Sequence, residues 1–258
     1  MTTHRPRAVL RAAAALVMTA LVAVGCASSS QPAPSSNLGT ALDQPVPRSV
    51  LTLPLTDAAG HPTTLEALRG KVVVLGASMT LCQEICPLLA ANLVYLARQT
   101  TAAGHASDVA FVQLTIDPER DTAARLAAYR QLFRPAPGNW STLTGPASSV
   151  SAIWKYFGAS YQRVPEDSPP ARDWLTGRLL TYDVQHSDVV VFLDASGHER
   201  FLINEAPDTS GKQPPPTLLK FLSAEGRQNL THPEQGESWT PKDVAQVVNS
   251  IAGKKLVP

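Results

Sequence analysis

The sequence predicts an α/β domain, a central mixed sheet flanked by helices on both faces. Three observations predict it. Residues 71–76 form a short run that is apolar after Lys71, and 109–116 read as a second buried strand, the pattern of strands buried on both faces. Each is followed by apolar residues at helical spacing, first Ile85, Leu88, Leu89, Leu93 and Leu96, then Leu126, Tyr129 and Phe133. Residues 188–193 and 199–203 then read as two strands around the turn Asp194-Ala195-Ser196-Gly197. Strand, helix, strand, helix, hairpin and a closing helix make a mixed sheet with a helix layer on each side.

The remaining elements follow in order. Leu51-Thr52-Leu53 and residues 63–65 flank Asp57-Ala58-Ala59-Gly60, which predicts a hairpin before the first buried strand. Val150, Ile153, Trp154 and Phe157 mark a helix in the middle of the chain. The last helix carries both start and stop signals. Thr240 is a candidate N-cap, Pro241 suits the first turn and Asp243 can reach back to the cap. Val244, Val247, Val248 and Ile251 form its apolar stripe, and Gly253 ends it. Two Pro-rich stretches, near 165–187 and 204–238, interrupt the domain expected over 49–258, and both are longer than a simple connection. No internal repeat at a solenoid period is present.

The 258-residue chain carries a net charge of +1, which gives no reason to expect a nucleic-acid partner. Arg5, Arg7 and Arg11 supply that small excess; without them acids outnumber bases, 21 to 19. They head an uncharged apolar run over 12–25, too short to span a bilayer and the length of a signal-peptide core. Leu21-Val22-Ala23-Val24-Gly25-Cys26, followed by Ala27-Ser28-Ser29-Ser30, resembles a bacterial lipoprotein cleavage box. That resemblance makes 1–25 a signal peptide and Cys26 the lipidated first residue of an extracytoplasmic, membrane-anchored protein. Ordinary secretory cleavage nearby is the alternative. Residues 26–48, rich in Ser, Pro, Ala and Gln, are expected to be a flexible tether with too little apolar surface to fold.

With Cys26 set aside, two cysteines remain, in Cys82-Gln83-Glu84-Ile85-Cys86-Pro87. A disulfide closing so short a loop removes little chain entropy, so redox chemistry or metal binding explains the pair better than stabilisation. The pair sits where a buried strand turns into a helix. Pro87 fits the first helical turn, and the free N–H groups there favour a thiolate at Cys86. Three intervening residues place the sulfurs about one helical turn apart, within reach of each other or of one metal ion. Soft thiolates select Cu(I), or zinc when more ligands are at hand. Among the histidines, His186 stands out because it directly precedes a predicted central strand.

Three motifs together resemble the Sco/SenC family of cytochrome oxidase assembly proteins: residues 76–87 around the cysteines, Thr115-Ile116-Asp117-Pro118-Glu119-Arg120-Asp121-Thr122, and His186-Ser187 ahead of a strand. The resemblance covers about residues 50–203. It implies a thioredoxin-like fold and copper, as Cu(I) or Cu(II), held by Cys82, Cys86 and His186. Gln185 stands where the family commonly has an acid before the histidine, with Asp183 and Asp188 as the acids nearby. Met79 replaces a family aromatic and is read as a packing residue rather than a thioether ligand. Asp117 is read as capping a strand end and Asp121 as a helix N-cap.

The resemblance implies a copper metallochaperone rather than an enzyme. Its partner would be the copper-accepting subunit of a haem–copper oxidase, at the binuclear copper centre, and the mechanism would be ligand exchange. The alternative is a thiol–disulfide oxidoreductase with Cys82 and Cys86 as its redox-active pair, working on a partner's copper-site cysteines or on other extracytoplasmic disulfides. A thioredoxin-like reductant is an expected partner in either case, since copper loading needs reduced sulfurs. The Cys-x3-Cys spacing, and His186-Ser187 where reductases of this fold carry a proline, argue against a general reductase. A copper-linked redox sensor is a third reading, which the sequence does not separate from the first.

Overall fold

The computed structural model describes residues 1–3, 37–212, 214–232 and 238–258. The expected signal peptide beyond Thr3, the expected lipidation site at Cys26 and the first part of the expected tether lie outside the described residues.

In chain order the elements begin with strand β1 (Thr40–Pro45), helix α1 (Arg48–Leu51), β2 (Leu55–Asp57) and β3 (Pro62–Thr63). The central unit follows: β4 (Val72–Ser78), α2 (Cys86–Ala102), β5 (Val109–Thr115), α3 (Ala123–Arg130), β6 (Trp140–Thr144) and α4 (Ala147–Tyr156). Next come β7 (Tyr161–Val164), β8 (Asp183–His186), β9 (Val189–Leu193) and β10 (His198–Asn204). The chain ends with β11 (Ala206–Pro207), α5 (Pro216–Phe221), α6 (Ala224–Thr231), β12 (Ser238–Trp239) and α7 (Pro241–Ala252).

Eight strands form one sheet in the order β1-β10-β9-β4-β5-β6-β2-β3. β4, β5 and β6 run parallel, while β9 runs antiparallel to β4 and pairs with β10 as the expected hairpin. The sheet is therefore mixed. Its central strands alternate between two cores, as period-two side chains must. Val72 and Val74 enter one core with Leu89, Leu93 and Val244, whereas Val73 and Leu75 enter the other with Ile153 and Trp154. Helices thus cover both faces, which is why residues 72–76 read as an unbroken apolar run.

α7 starts and stops on the signals read from its sequence. Thr240 accepts from the Asp243 amide, and the Asp243 carboxylate accepts from the Thr240 amide. Gly253 closes the helix in the left-handed region at φ 63°, where a side chain would be strained.

Three expectations need correction. The tether expected over 26–48 contains an edge strand: β1 pairs antiparallel with β10, matching Thr40 to Leu202 and Ala41 to Phe201. Its side chains are mostly exposed, so backbone pairing places it and composition carries no sign of it. The early hairpin forms as β2 and β3, with Leu51 placed in α1 instead of in a strand. β6, with Trp140 fully buried in it, has no counterpart among the expected strands. Both Pro-rich stretches carry structure: β8 ends the first, and β11, α5, α6 and β12 lie in the second. Among the described residues no helix is long and apolar enough to cross a membrane.

Candidate metal centre

β4 ends at Ser78 and α2 begins at Cys86, so residues 79–85 make the connection at the carboxyl end of a central strand. Cys86 is the first residue of α2 and only 1% exposed, with Pro87 next to it. Cys82 lies in the loop, half-buried, and both cysteines are free thiols. The Cys86 amide, one of the N–H groups with no partner inside the helix, donates to the Cys82 sulfur at 3.4 Å. A hydrogen bond to Cys86, then burial, pushes the Cys82 thiol well above its ordinary value. The Cys82 thiol therefore resists ionisation in this arrangement.

His186 arrives from a distant part of the sequence. β8 pairs with β7 as a two-stranded ribbon matching Tyr161 to His186, and it delivers the imidazole to Cys86, with Nε2 3.6 Å from the sulfur. The ring is 7% exposed. Its Nδ1 lies 3.0 Å from the Ser187 carbonyl oxygen. A carbonyl can only accept, so Nδ1 carries a proton, and in the neutral ring the Nε2 lone pair faces the sulfur. Asp188 stands 3.8 Å from the same Nδ1. Gln185, where the family commonly has an acid, points away and pairs with Gln162 across the ribbon. The acid near the ring is thus Asp188, two residues after the histidine. On its other side His186 borders an open groove with Ser160, Tyr161, Gln162 and Ser187.

The aspartates of the second motif tie the two halves of this site together. Asp121 is fully buried and accepts from the Thr80 amide at 3.2 Å, the Thr80 hydroxyl, and the Thr115 hydroxyl at 2.7 Å. The N-cap of α3 is Thr122, whose side chain accepts from the Arg125 amide, so the N-cap expected at Asp121 falls one residue later. Asp and Thr both make good caps, and nothing local in the sequence separates them. Asp117 stands just past the end of β5 and receives Arg120 and the Tyr182 hydroxyl. Arg120 also donates to the Tyr182 carbonyl at 2.7 Å and stacks on the Tyr182 ring. Tyr182 leads directly into β8. One motif therefore holds the cysteine loop through Asp121 and the histidine strand through Asp117 and Arg120.

Other contacts on the loop had no local signal. Trp174 donates its indole N–H to the Thr80 carbonyl at 2.8 Å. The preceding Asp173 takes a two-pronged bond from Arg125, which holds its carboxyl well below the usual carboxylate range. Met79 is buried in the core beside α4, as expected of a packing residue. Burial first, and then Glu225, Asp183 and Asp167, raise the Glu84 carboxyl, so the rim of the loop is acidic.

The sequence-predicted residues thus meet as a contact between Cys86 and His186, with Cys82 bonded to the Cys86 amide. Among the described residues no three such side chains already stand in a closed ligand set.

The fold and site define a thioredoxin-like protein with a dithiol at a helix start and an imidazole delivered by a separate strand. The chain belongs to the SCO1/SenC family, whose model matches residues 49–210. It is 31% identical over 143 residues to the mitochondrial SCO2 homolog of Bos taurus, covering 55% of this chain and 49% of that protein. It is likewise 31% identical to mitochondrial SCO2 of Saccharomyces cerevisiae, covering 55% of this chain and 43% of that one. The chain therefore spans about half the length of these curated relatives or less. Among solved structures, a SCO1/SenC family lipoprotein from Bacillus anthracis aligns with a TM-score of 0.50 at 25% identity, over 65% of this chain and 90% of that one.

Proposed function

We propose that this protein is a copper metallochaperone that binds Cu(I) or Cu(II) through Cys82, Cys86 and His186 and passes it to the binuclear copper centre of a haem–copper oxidase during assembly. The observation that carries the reading is the 3.6 Å approach of His186 Nε2 to Cys86 Sγ, made by residues a hundred positions apart. Two thiols and an imidazole whose lone pair faces them form a soft donor set suited to copper. Family membership supports the same reading.

Copper is cargo here. Binding would draw Cys82 and His186 round the ion beside Cys86, and the cysteine thiols give up their protons as metal binds. Cys82, half-buried in the loop, is the most accessible of the three, since Cys86 is 1% exposed and the His186 ring 7%. Transfer by ligand exchange would begin there while Cys86 and His186 still hold the ion. We place the protein outside the cytoplasm, anchored by lipid at Cys26, with an oxidase subunit as acceptor and a thioredoxin-like reductant keeping the dithiol open.

Titration of the reduced, purified protein should give one copper per chain and a thiolate-to-Cu(II) absorption band. His186→Ala should weaken binding by at least the roughly ten- to hundredfold that loss of even an outer partner of a metal ligand costs. No stoichiometric binding in either oxidation state refutes the reading. Sustained insulin reduction by the copper-free protein would assign the dithiol to disulfide chemistry instead.

A further inference from the structure

The family model ends at residue 210, yet the chain beyond it returns to the cysteine loop. The Ser223 amide, at the N-cap of α6, donates to the Gln83 carbonyl at 3.0 Å. Gly226, in the first turn of α6, lies so near the loop that a Cβ there would be 2.3 Å from the Gln83 oxygen and 3.0 Å from the Glu84 Cα. Only glycine allows that approach without moving backbone. Just before α6, Phe221 packs against Trp174 at 5.2 Å between ring centroids and against Tyr129 at 5.9 Å. Trp174 is the residue that bonds the Thr80 carbonyl. The two Pro-rich stretches therefore meet each other through an aromatic cluster, and each seizes one carbonyl of the loop between β4 and α2.

From this geometry we infer that α6 and Trp174 form a clamp that positions Cys82, with Ser223, Gly226 and Trp174 as positioning residues that hold the pair in its dithiol arrangement. In that arrangement the Cys82 sulfur accepts from the Cys86 amide at 3.4 Å. Disulfide formation would instead bring the sulfurs to about 2.05 Å of each other, with a fixed dihedral angle. Bringing the sulfurs together turns Cys82 from the amide, and the carbonyls pinned at Thr80 and Gln83 limit how far the loop can follow. Contacts made in one state and strained in the other bias the equilibrium towards the first. The clamp deepens the proposed copper role, because only the dithiol binds the ion.

The test equilibrates the metal-free protein with glutathione buffers and reads the Cys82–Cys86 disulfide by alkylation and mass. In the exchange, the two thiols lose two electrons and two protons to form one S–S bond, and one oxidised glutathione is cleaved into two thiols. Gly226→Val should move the midpoint thiol-to-disulfide ratio about tenfold towards the disulfide. Trp174→Phe, which keeps the ring and loses the donor, should move it about threefold the same way. Gly226→Ala should fall between the parent and Gly226→Val. An unchanged midpoint, or a shift towards the dithiol, overturns the clamp. If Gly226→Val does not fold, Trp174→Phe decides alone. The copper arm rests on the proposed function, and there Gly226→Val should bind about tenfold more weakly. A parent that binds no copper refutes that function and leaves the thiol–disulfide shift to judge the clamp.

Discussion

Cys86→Ser should abolish useful copper binding, by roughly a thousandfold or about 4 kcal/mol, while the melting temperature moves only a few degrees. Serine is nearly the same size and fits a position that is 1% exposed. Its hydroxyl can still meet His186, so the cost to the fold is about 1 kcal/mol. The chemistry changes far more. A serine hydroxyl stays protonated at neutral pH and is a hard donor, whereas copper(I) prefers a soft thiolate. Cys86 is also the sulfur in contact with His186, so its removal leaves Cys82 and the imidazole with no donor between them. Titration with a competing chelator measures the loss, and a thermal melt without metal shows that the fold survives. Retained affinity within tenfold of the parent would show that Cys86 is not a ligand.

The second large effect is expected at Asp121. Burial, opposed only in part by its bonds to Thr80 and Thr115, raises its carboxyl from 3.8 to about 6. A carboxyl whose folded value lies above its unfolded value binds protons more tightly in the folded state. The protonated form therefore stabilises the fold, and that stabilisation is fully present below about pH 4. It is lost as pH rises through about 6, leaving a cost at neutral pH of about 3 kcal/mol. Urea denaturation of the metal-free protein should show stability falling between pH 4 and 7. In Asp121→Asn, which cannot ionise, that fall should flatten. Asp121→Ala should be worse than either, by about 3 kcal/mol or more, because it strands the amide and hydroxyl of Thr80 in a buried site. An unaltered pH profile in Asp121→Asn would remove Asp121 as the titrating group.

Much of the central fold was legible because its signals are periodic and local. Runs such as 72–76 and 109–116 carry apolar residues on both faces of a strand, and the structure buries both faces. α7 was legible down to its caps, since Thr240, Asp243 and Gly253 act within a turn of their own positions. β1 was not, because an edge strand needs only backbone partners and can expose nearly every side chain. β6 was missed because its polar residues, Ser141, Thr142 and Thr144, break the apolar run that marked its neighbours.

The candidate site divides along the same line. Cys82, Cys86 and His186 were readable from residue type and motif. Most of what holds them was not, since the anchors on the loop between β4 and α2 act across long stretches of sequence. Thr80 and Asp121 are 41 residues apart, Trp174 reaches back 94, and the Ser223 contact with Gln83 joins the far end of the chain to the loop. No local propensity records a bond of that kind. Asp121 shows the limit well, because a residue type that suits a helix cap was instead spent on a buried hub.

The short parallel ladder of β11 and β12 pairs Ala206 with Ser238 and Pro207 with Trp239. The segment carrying α5 and α6 therefore leaves and rejoins the domain at neighbouring points. The excursion adds no strand to the main sheet, yet it packs Leu218 and Phe221 into the core that also holds Leu89, Leu93 and Val244. Its grip on the cysteine loop is therefore tied to the packing of the domain, and a change that loosens that core also loosens the loop.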